Sequence, residues 1–207
     1  LTLSGAGSAA RADSGRYDVT STVRNISPGV NETEYYTNTT ANDDQVVSYA
    51  ITVDLSQSTI IAGYKDYDTS GSWGMQTVRE QAAAAESARG VNVVAAVNGD
   101  FYNMGTGQPT GVLVMNGQVV NNAAGRNYFA ILKDGTAVIR TGSLQGDEAE
   151  AIGGALMLIS DGEIAVVGND SYYTTKQPRT AVGITADGQV VIVVADGRQA
   201  PTSSGYT

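Results

Sequence analysis

The 207 residues are 42% hydrophobic and 16% charged, which is enough apolar side chain for one sizeable core with a small appendage and too much for a disordered chain. Lys and Arg number 12 against 21 Asp and Glu, and a net charge of -9 disfavours a nucleic-acid binder, which wants a basic face. The chain has no Cys and no His, so disulfides, thiolate nucleophiles, imidazole-based triads and Cys- or His-ligated metals are excluded.

Residues 1–16 are small and polar without apolar period and read as a flexible tail or linker. They lack the basic-then-apolar order of a signal peptide, and nowhere does the chain approach the roughly 18 apolar residues of a membrane helix. Residues 17–207 are expected to form one domain. Val46 to Asp54 alternates like a half-buried strand, and Thr59 to Ala62 is its expected partner. Thr77-Val-Arg-Glu80 has the form of a capping box and opens an Ala-rich helix that Gly90 ends, with Val78, Ala82 and Ala85 on its buried side. Asn92 to Val97 is a short apolar run that fits a strand covered on both faces.

Four turn dipeptides then sit between apolar runs: Asn116-Gly117, Asp134-Gly135, Asp161-Gly162 and Asp187-Gly188. They predict hairpins pairing Val112–Met115 with Gln118–Val120, Tyr128–Leu132 with Ala137–Arg140, Leu156–Ser160 with Ile164–Val167, and Ala181–Thr185 with Gln189–Ala195. One helix among many short strands gives an α+β fold, largely antiparallel sheet built from hairpins with at least one packed helix.

Carboxylates, Tyr, Lys and Arg are left to carry protons and charge, and any metal would be a hard, oxygen-bound ion such as calcium. Asp66-Tyr-Asp-Thr-Ser-Gly71 copies the first half of a calcium loop, but its twelfth position is Thr77 and not Glu. The loop reads as a solvated turn leading into the helix. No metal residues are assigned and no cofactor is expected.

Four segments carry a resemblance. Val93 to Tyr102 reads VVAAVNGDFY, Gln108 to Gly111 QPTG, Pro178 to Gly183 PRTAVG, and Val190 to Gln199 VVIVVADGRQ. With Ile26-Ser-Pro-Gly29, the Thr77–Glu80 helix entry and Ser203-Ser-Gly-Tyr-Thr207 in the same order, the chain resembles the phosphodiester glycosidase family from about Ile26 onward. Family members continue through another helix to a strand ending in Asp-Gly-Gly-Gly-Ser, so the C-terminal third of their domain has no counterpart here.

The resemblance implies hydrolysis of the glycosidic bond in a sugar-1-phosphodiester, with a surface polysaccharide as one source of substrate, by a secreted or cell-surface protein. It places Asn98, Gly99, Asp100, Phe101 and Tyr102 at a strand end facing the family's cleft, and adds Arg179, Thr180, Asp196, Gly197, Arg198 and Ser203. Asp100 and Asp196 are the candidate catalytic acids, and the other residues are candidates for binding substrate. Arg179 and Arg198 are the candidate phosphate clamps, because planar guanidinium groups recognise phosphate oxygens through paired hydrogen bonds. The departing phosphate is already a stable anion, so the reaction needs charge stabilisation more than protonation by a strong acid.

Each candidate also has a plainer role open to it. Asp196-Gly197 could turn the chain, Asn98–Asp100 could cap backbone groups, Arg179 could make a surface ion pair, and Phe101 and Tyr102 could serve core or rim. A non-catalytic glycan or cell-wall polymer binding module is the competing function, and a fold retained without activity is a third. The glycosidase reading requires Asp100, Asp196, Arg179 and Arg198 to meet, whereas a binding module does not. A final expectation concerns Val190 to Ala195, a strongly apolar strand close to Thr207. Alone it should show an unpaired edge, so Thr207 is expected to mark a break, with the protein's own C-terminal fragment docked as a partner.

Overall fold

The structure is a computed structural model that describes residues 17–39, 45–165 and 174–206. The expected tail at 1–16, the end of the third predicted hairpin and Thr207 lie outside the described residues. In chain order the elements are β1 (Tyr17–Ser27), β2 (Val30–Thr39), β3 (Gln45–Val53), a 3-10 turn (Lys65–Tyr67), α1 (Val78–Arg89), β4 (Leu113–Met115), β5 (Gln118–Asn121) and β6 (Arg126–Leu132). They continue with β7 (Ala137–Gly142), β8 (Glu148–Gly154), β9 (Ile159–Ser160), β10 (Glu163–Ile164), β11 (Arg179–Ile184) and β12 (Val190–Ala195). The fold is α+β and dominated by antiparallel sheet, as the hairpin pattern implies. It divides into two compact units, one built from the described residues up to Ser58 and from 174 onward, the other from Thr59–Val166.

The first unit is one sheet in the order β1-β2-β3-β12-β11, antiparallel throughout. The β1–β2 hairpin turns at Pro28-Gly29, where Gly29 has a φ of +72° and an added Cβ would lie 2.7 Å from Gln57 Cβ. Val46, Val47, Ser48, Ala50 and Val53 are buried on β3, as are Val190, Val191 and Ala195 on β12. Because β12 has β3 on one side and β11 on the other, the unpaired edge expected at Val190–Ala195 is absent. Both edges of β3 are likewise taken by β2 and β12, so Thr59–Ala62 does not pair with it and forms no strand.

The second unit places β5-β4-β8-β6-β7 in one sheet and β9-β10 in a separate short hairpin. Val112, Val114, Tyr128, Ala130 and Ala151 form one buried cluster, and Ala62, Tyr64, Leu113 and Met115 another. Helix α1 begins with the expected capping box, Thr77 Oγ1 accepting from Glu80 N at 3.3 Å and Glu80 Oε2 accepting from Thr77 N at 2.9 Å. It ends at Gly90 in the left-handed region (φ 63°), as expected, and of its predicted inner face only Ala85 is fully buried.

Asn92–Val97 corrects a further expectation. The run belongs to no sheet among the described residues, and its positions alternate between exposed and half-buried, with Val94 38% exposed. Apolar composition signals a covered strand only when a neighbouring strand supplies the ladder, and none of the described strands is paired with this run.

Candidate functional site

In the second unit the NGDFY run is followed by a tight return of the chain. Asn103 N donates to Gln108 O at 2.8 Å, Thr110 N donates to Phe101 O at 2.8 Å, and Tyr102 bridges Pro109. This fold-back brings Gly111 N onto Asp100 Oδ2 at 2.5 Å. Gly153 of β8 closes from the other side, since Gly153 N donates to Val112 O at 2.9 Å and carries the β4–β8 ladder past its end. An added Cβ on Gly111 would lie 2.6 Å from Asp100 Oδ2, and one on Gly153 would strike the same oxygen and lie 2.7 Å from Gly111 Cα. Two glycines therefore form a slot around the carboxylate that a Cβ on either would invade. A Cβ on Gly99 would meet only the end of the Ile152 side chain.

The Asp100 side chain is only 3% exposed. Its Oδ1 has no hydrogen-bond partner and lies 3.5 Å from Arg126 Nη2. Leaving a buried polar atom unbonded costs about 1–3 kcal/mol, more for a charged group, so such an atom in a native fold asks for a reason. Arg126, at the start of β6, donates from Nε to Gly154 O at 3.4 Å, and its guanidinium lies 5.9 Å from the centre of the Phe101 ring. Phe101 is 47% exposed and Tyr102 45%, so both rings face solvent beside the buried acid. Asn98 is exposed at the head of the run.

In the first unit, three of the quoted motifs fold onto one another. Arg179 opens β11 opposite Ala195, donating from Nη2 to Thr175 O at 3.0 Å and from Nε to Tyr206 O at 3.3 Å. Thr180 is exposed opposite Val194. Asp196 N donates to Val47 O at 2.9 Å, which extends the ladder one residue beyond β12. Ser203 is 1% exposed, and its hydroxyl donates to Asp196 O at 2.8 Å and accepts from Val47 N at 3.1 Å. It braces this loop from within and does not present its hydroxyl to solvent.

Gly197 is buried, and a Cβ there would lie 2.5 Å from Pro178 N and 3.0 Å from Gly205 Cα. Close approach, not a hairpin turn, is what demands glycine here, and Asp196-Gly197 thus differs from Asp134-Gly135, Asp161-Gly162 and Asp187-Gly188, whose glycines all have positive φ. The positive φ falls instead on Arg198, at 60°, an uncommon conformation for a residue with a Cβ. Arg198 is exposed and donates from Nε to Gln177 Oε1 at 2.5 Å.

Two residues that sequence reasoning did not single out, Glu34 and Tyr49, face each other across β2 and β3, and Tyr49 feels the charge of Asp196. Burial, then the hydrogen bond and charge of Glu34, then the charge of Asp196 push the Tyr49 hydroxyl above its ordinary value. Glu34 also accepts from Tyr36 Oη at 2.8 Å. In the Asp66–Gly71 loop the carboxylates are turned to neighbours: Asp66 takes Lys65 Nζ at 2.7 Å and Gln76 Nε2 at 2.5 Å, and Asp68 takes Ser70 N at 2.8 Å and Ser70 Oγ at 2.9 Å.

The structure thus groups Asn98–Tyr102 on one unit and Arg179, Thr180, Asp196, Gly197, Arg198 and Ser203 on the other. Arg126, Glu34 and Tyr49 were invisible in the sequence because their neighbours are set by strand register and not by spacing along the chain.

Residues 91–207 match the family described as phosphodiester glycosidase. Among curated proteins the chain is 30% identical over 146 residues to the N-acetylglucosamine-1-phosphodiester alpha-N-acetylglucosaminidase of Bos taurus, covering 58% of this chain and 27% of the relative. It is 30% identical over 154 residues to that of Homo sapiens, covering 62% of this chain and 29% of the relative. The chain therefore aligns with less than a third of the length of these relatives. A crystal structure of a hypothetical protein from Synechocystis shares the fold, with a TM-score of 0.62 over 90% of this chain and 54% of that one at 10% identity.

Proposed function

The chain belongs to the phosphodiester glycosidase family, and we propose that it hydrolyses the glycosidic bond of a sugar-1-phosphodiester, of which an N-acetylglucosamine-1-phosphodiester is the nearest candidate. The observation that carries this reading is the Asp100 carboxylate, buried in a slot of two glycines with one oxygen unbonded beside a guanidinium. A carboxylate so held suits the activation of a water or the stabilisation of positive charge at the anomeric carbon. Water oxygen bonds to that carbon, the bond from the carbon to the phosphate oxygen breaks, and the products are a free sugar and a phosphate monoester. On the first unit, the resemblance makes Arg179 and Arg198 the candidates for binding phosphate and Asp196 a candidate acid.

Hydrolysis of methyl N-acetylglucosamine-1-phosphodiester in ¹⁸O-labelled water tests the reading. Label in the sugar, with unlabelled methyl phosphate, is the expected outcome. Label in the phosphate would mean phosphodiester cleavage, and the proposal would fail.

The second reading, a non-catalytic glycan or cell-wall polymer binding module, draws on the solvent-facing Phe101 and Tyr102 rings. It requires saturable binding of the same compound with no turnover.

A further inference from the structure

We infer that Arg126, which lies outside every quoted motif, is the positioning residue for Asp100. The inference rests on the reading of Asp100 given above. Three contacts define the guanidinium: Nε on Gly154 O at 3.4 Å, Nη2 at 3.5 Å from Asp100 Oδ1, and the Phe101 ring 5.9 Å away. The Arg126 side chain is 30% exposed while that of Asp100 is 3% exposed, so the pair runs from solvent into the slot with the carboxylate at the closed end.

The opposite end of the carboxylate is fixed. Asp100 Oδ2 is bonded by Gly111 N and walled by Gly111 and Gly153, so it has no freedom to turn away. Oδ1 is the oxygen left for chemistry, and Arg126 is the cation facing it. At 3.5 Å the contact is longer than a charge-assisted hydrogen bond, so the guanidinium orients Oδ1 without occupying its lone pairs. A surface ion pair would need none of this enclosure, and a purely structural one would bond both oxygens.

Phe101 completes the arrangement by covering one side of the guanidinium with its ring, which restricts where Arg126 can move. The NGDFY run therefore supplies both the acid and part of the holder of the arginine that orients it. Arg126 acts through Asp100 and is not itself assigned a contact with the reacting atoms.

The test is a double-mutant cycle in the full chain, with Arg126→Met, Arg126→Lys, Asp100→Asn and Arg126→Met/Asp100→Asn, using the labelled hydrolysis assay and thermal melts. Misplacing a catalytic group by an ångström costs about a hundredfold in rate, so Arg126→Met should lose about that much kcat with KM changed by no more than about threefold. Arg126→Lys should retain an intermediate rate, and added guanidinium should restore part of the Arg126→Met loss. The double variant should be no slower than Asp100→Asn alone, because the arginine acts through the acid.

Wild-type kcat in a folded Arg126→Met protein while Asp100→Asn is dead would overturn this inference and leave the role of Asp100 standing. Wild-type turnover by Asp100→Asn would overturn both, as would wild-type protein without turnover. A raised KM at unchanged kcat would make Arg126 a substrate-binding group and also refute the inference. If Arg126→Met fails to fold, Arg126→Lys decides: its kcat must fall below wild type at equal stability.

Discussion

Gly153→Ala is the sharpest perturbation the structure offers. The new methyl would strike Asp100 Oδ2 and sit 2.7 Å from Gly111 Cα, against about 3.5–4.0 Å for carbon atoms in comfortable contact. Overpacking of this kind costs about 1–3 kcal/mol. The carboxylate, pushed outward, also loses its bond from Gly111 N, and hydrogen bonds to charged groups contribute about 1.5–3 kcal/mol. Taking about 3 kcal/mol as the sum after relaxation, and about 2–4 °C per kcal/mol for a chain of this size, the melting temperature should fall by about 6–12 °C. Gly154→Ala is the internal control, because a Cβ on that neighbour meets nothing closer than Asn127 O at 3.8 Å, and it should melt within about 2 °C of wild type. Circular dichroism melts of both variants, with urea titrations for the free energies, decide the matter. Removing the carboxylate with Asp100→Ala in the Gly153→Ala background should recover part of the loss, since the clash with Oδ2 goes while that with Gly111 Cα stays. Equal melting temperatures for Gly153→Ala and Gly154→Ala would refute the slot.

Two further perturbations address other parts of the molecule. Glu148 is buried, and although burial pushes its carboxyl up, hydrogen bonds from Gln145 N, Gly146 N and Tyr128 Oη outweigh this and hold it below its ordinary 4.5. A depressed folded value adds stability that is fully present above about pH 4.5 and lost as the pH falls through the folded value, so urea midpoints should drop below that pH. Glu148→Gln should flatten this acid limb and, by weakening the hydrogen bonds its carboxylate accepts while Arg140 Nη1 keeps Asp147 at 2.6 Å, cost about 1–2 kcal/mol at neutral pH. An unchanged acid limb would show that another carboxylate governs it. Arg198→Ala should lower kcat/KM about a hundredfold, the typical loss of one charge-stabilising donor, and shift the melting temperature by only a degree or two because the side chain is exposed. Wild-type turnover by the folded variant would remove Arg198 from the proposed chemistry.

Local chemistry was the legible part of this fold. Asn116-Gly117, Asp134-Gly135, Asp161-Gly162 and Asp187-Gly188 each turn a hairpin, and Thr77 with Glu80 caps α1, because each is decided by a few neighbouring residues. Strand β8 was not legible. It carries Glu148 and Glu150 into buried positions and ends in two glycines, a pattern opposed to the usual strand signal. Glu150 is tolerated there because Arg89 Nη1, Ala62 N and Asn116 N, distant in sequence, all bond it. Thr59–Ala62 and Asn92–Val97 failed in the opposite sense: their apolar character suits strands, but apolar character says nothing about whether a partner edge is free. The motif residues of the candidate site could be read directly, whereas Arg126 could not, since only the register of β6 against β8 brings it to Asp100.

The glycine slot also determines what holds Asp100 in place. The backbone leading into it, Asn92–Val97, has no ladder, so the acid's coordinates are inherited from β4 and β8 through Gly111 and Gly153 and not from the chain that carries it. Mechanically, the aspartate resembles a bolt seated in a frame, and a change of one methyl in the frame reaches it directly. For anyone altering this protein, two residues without side chains are the intolerant ones.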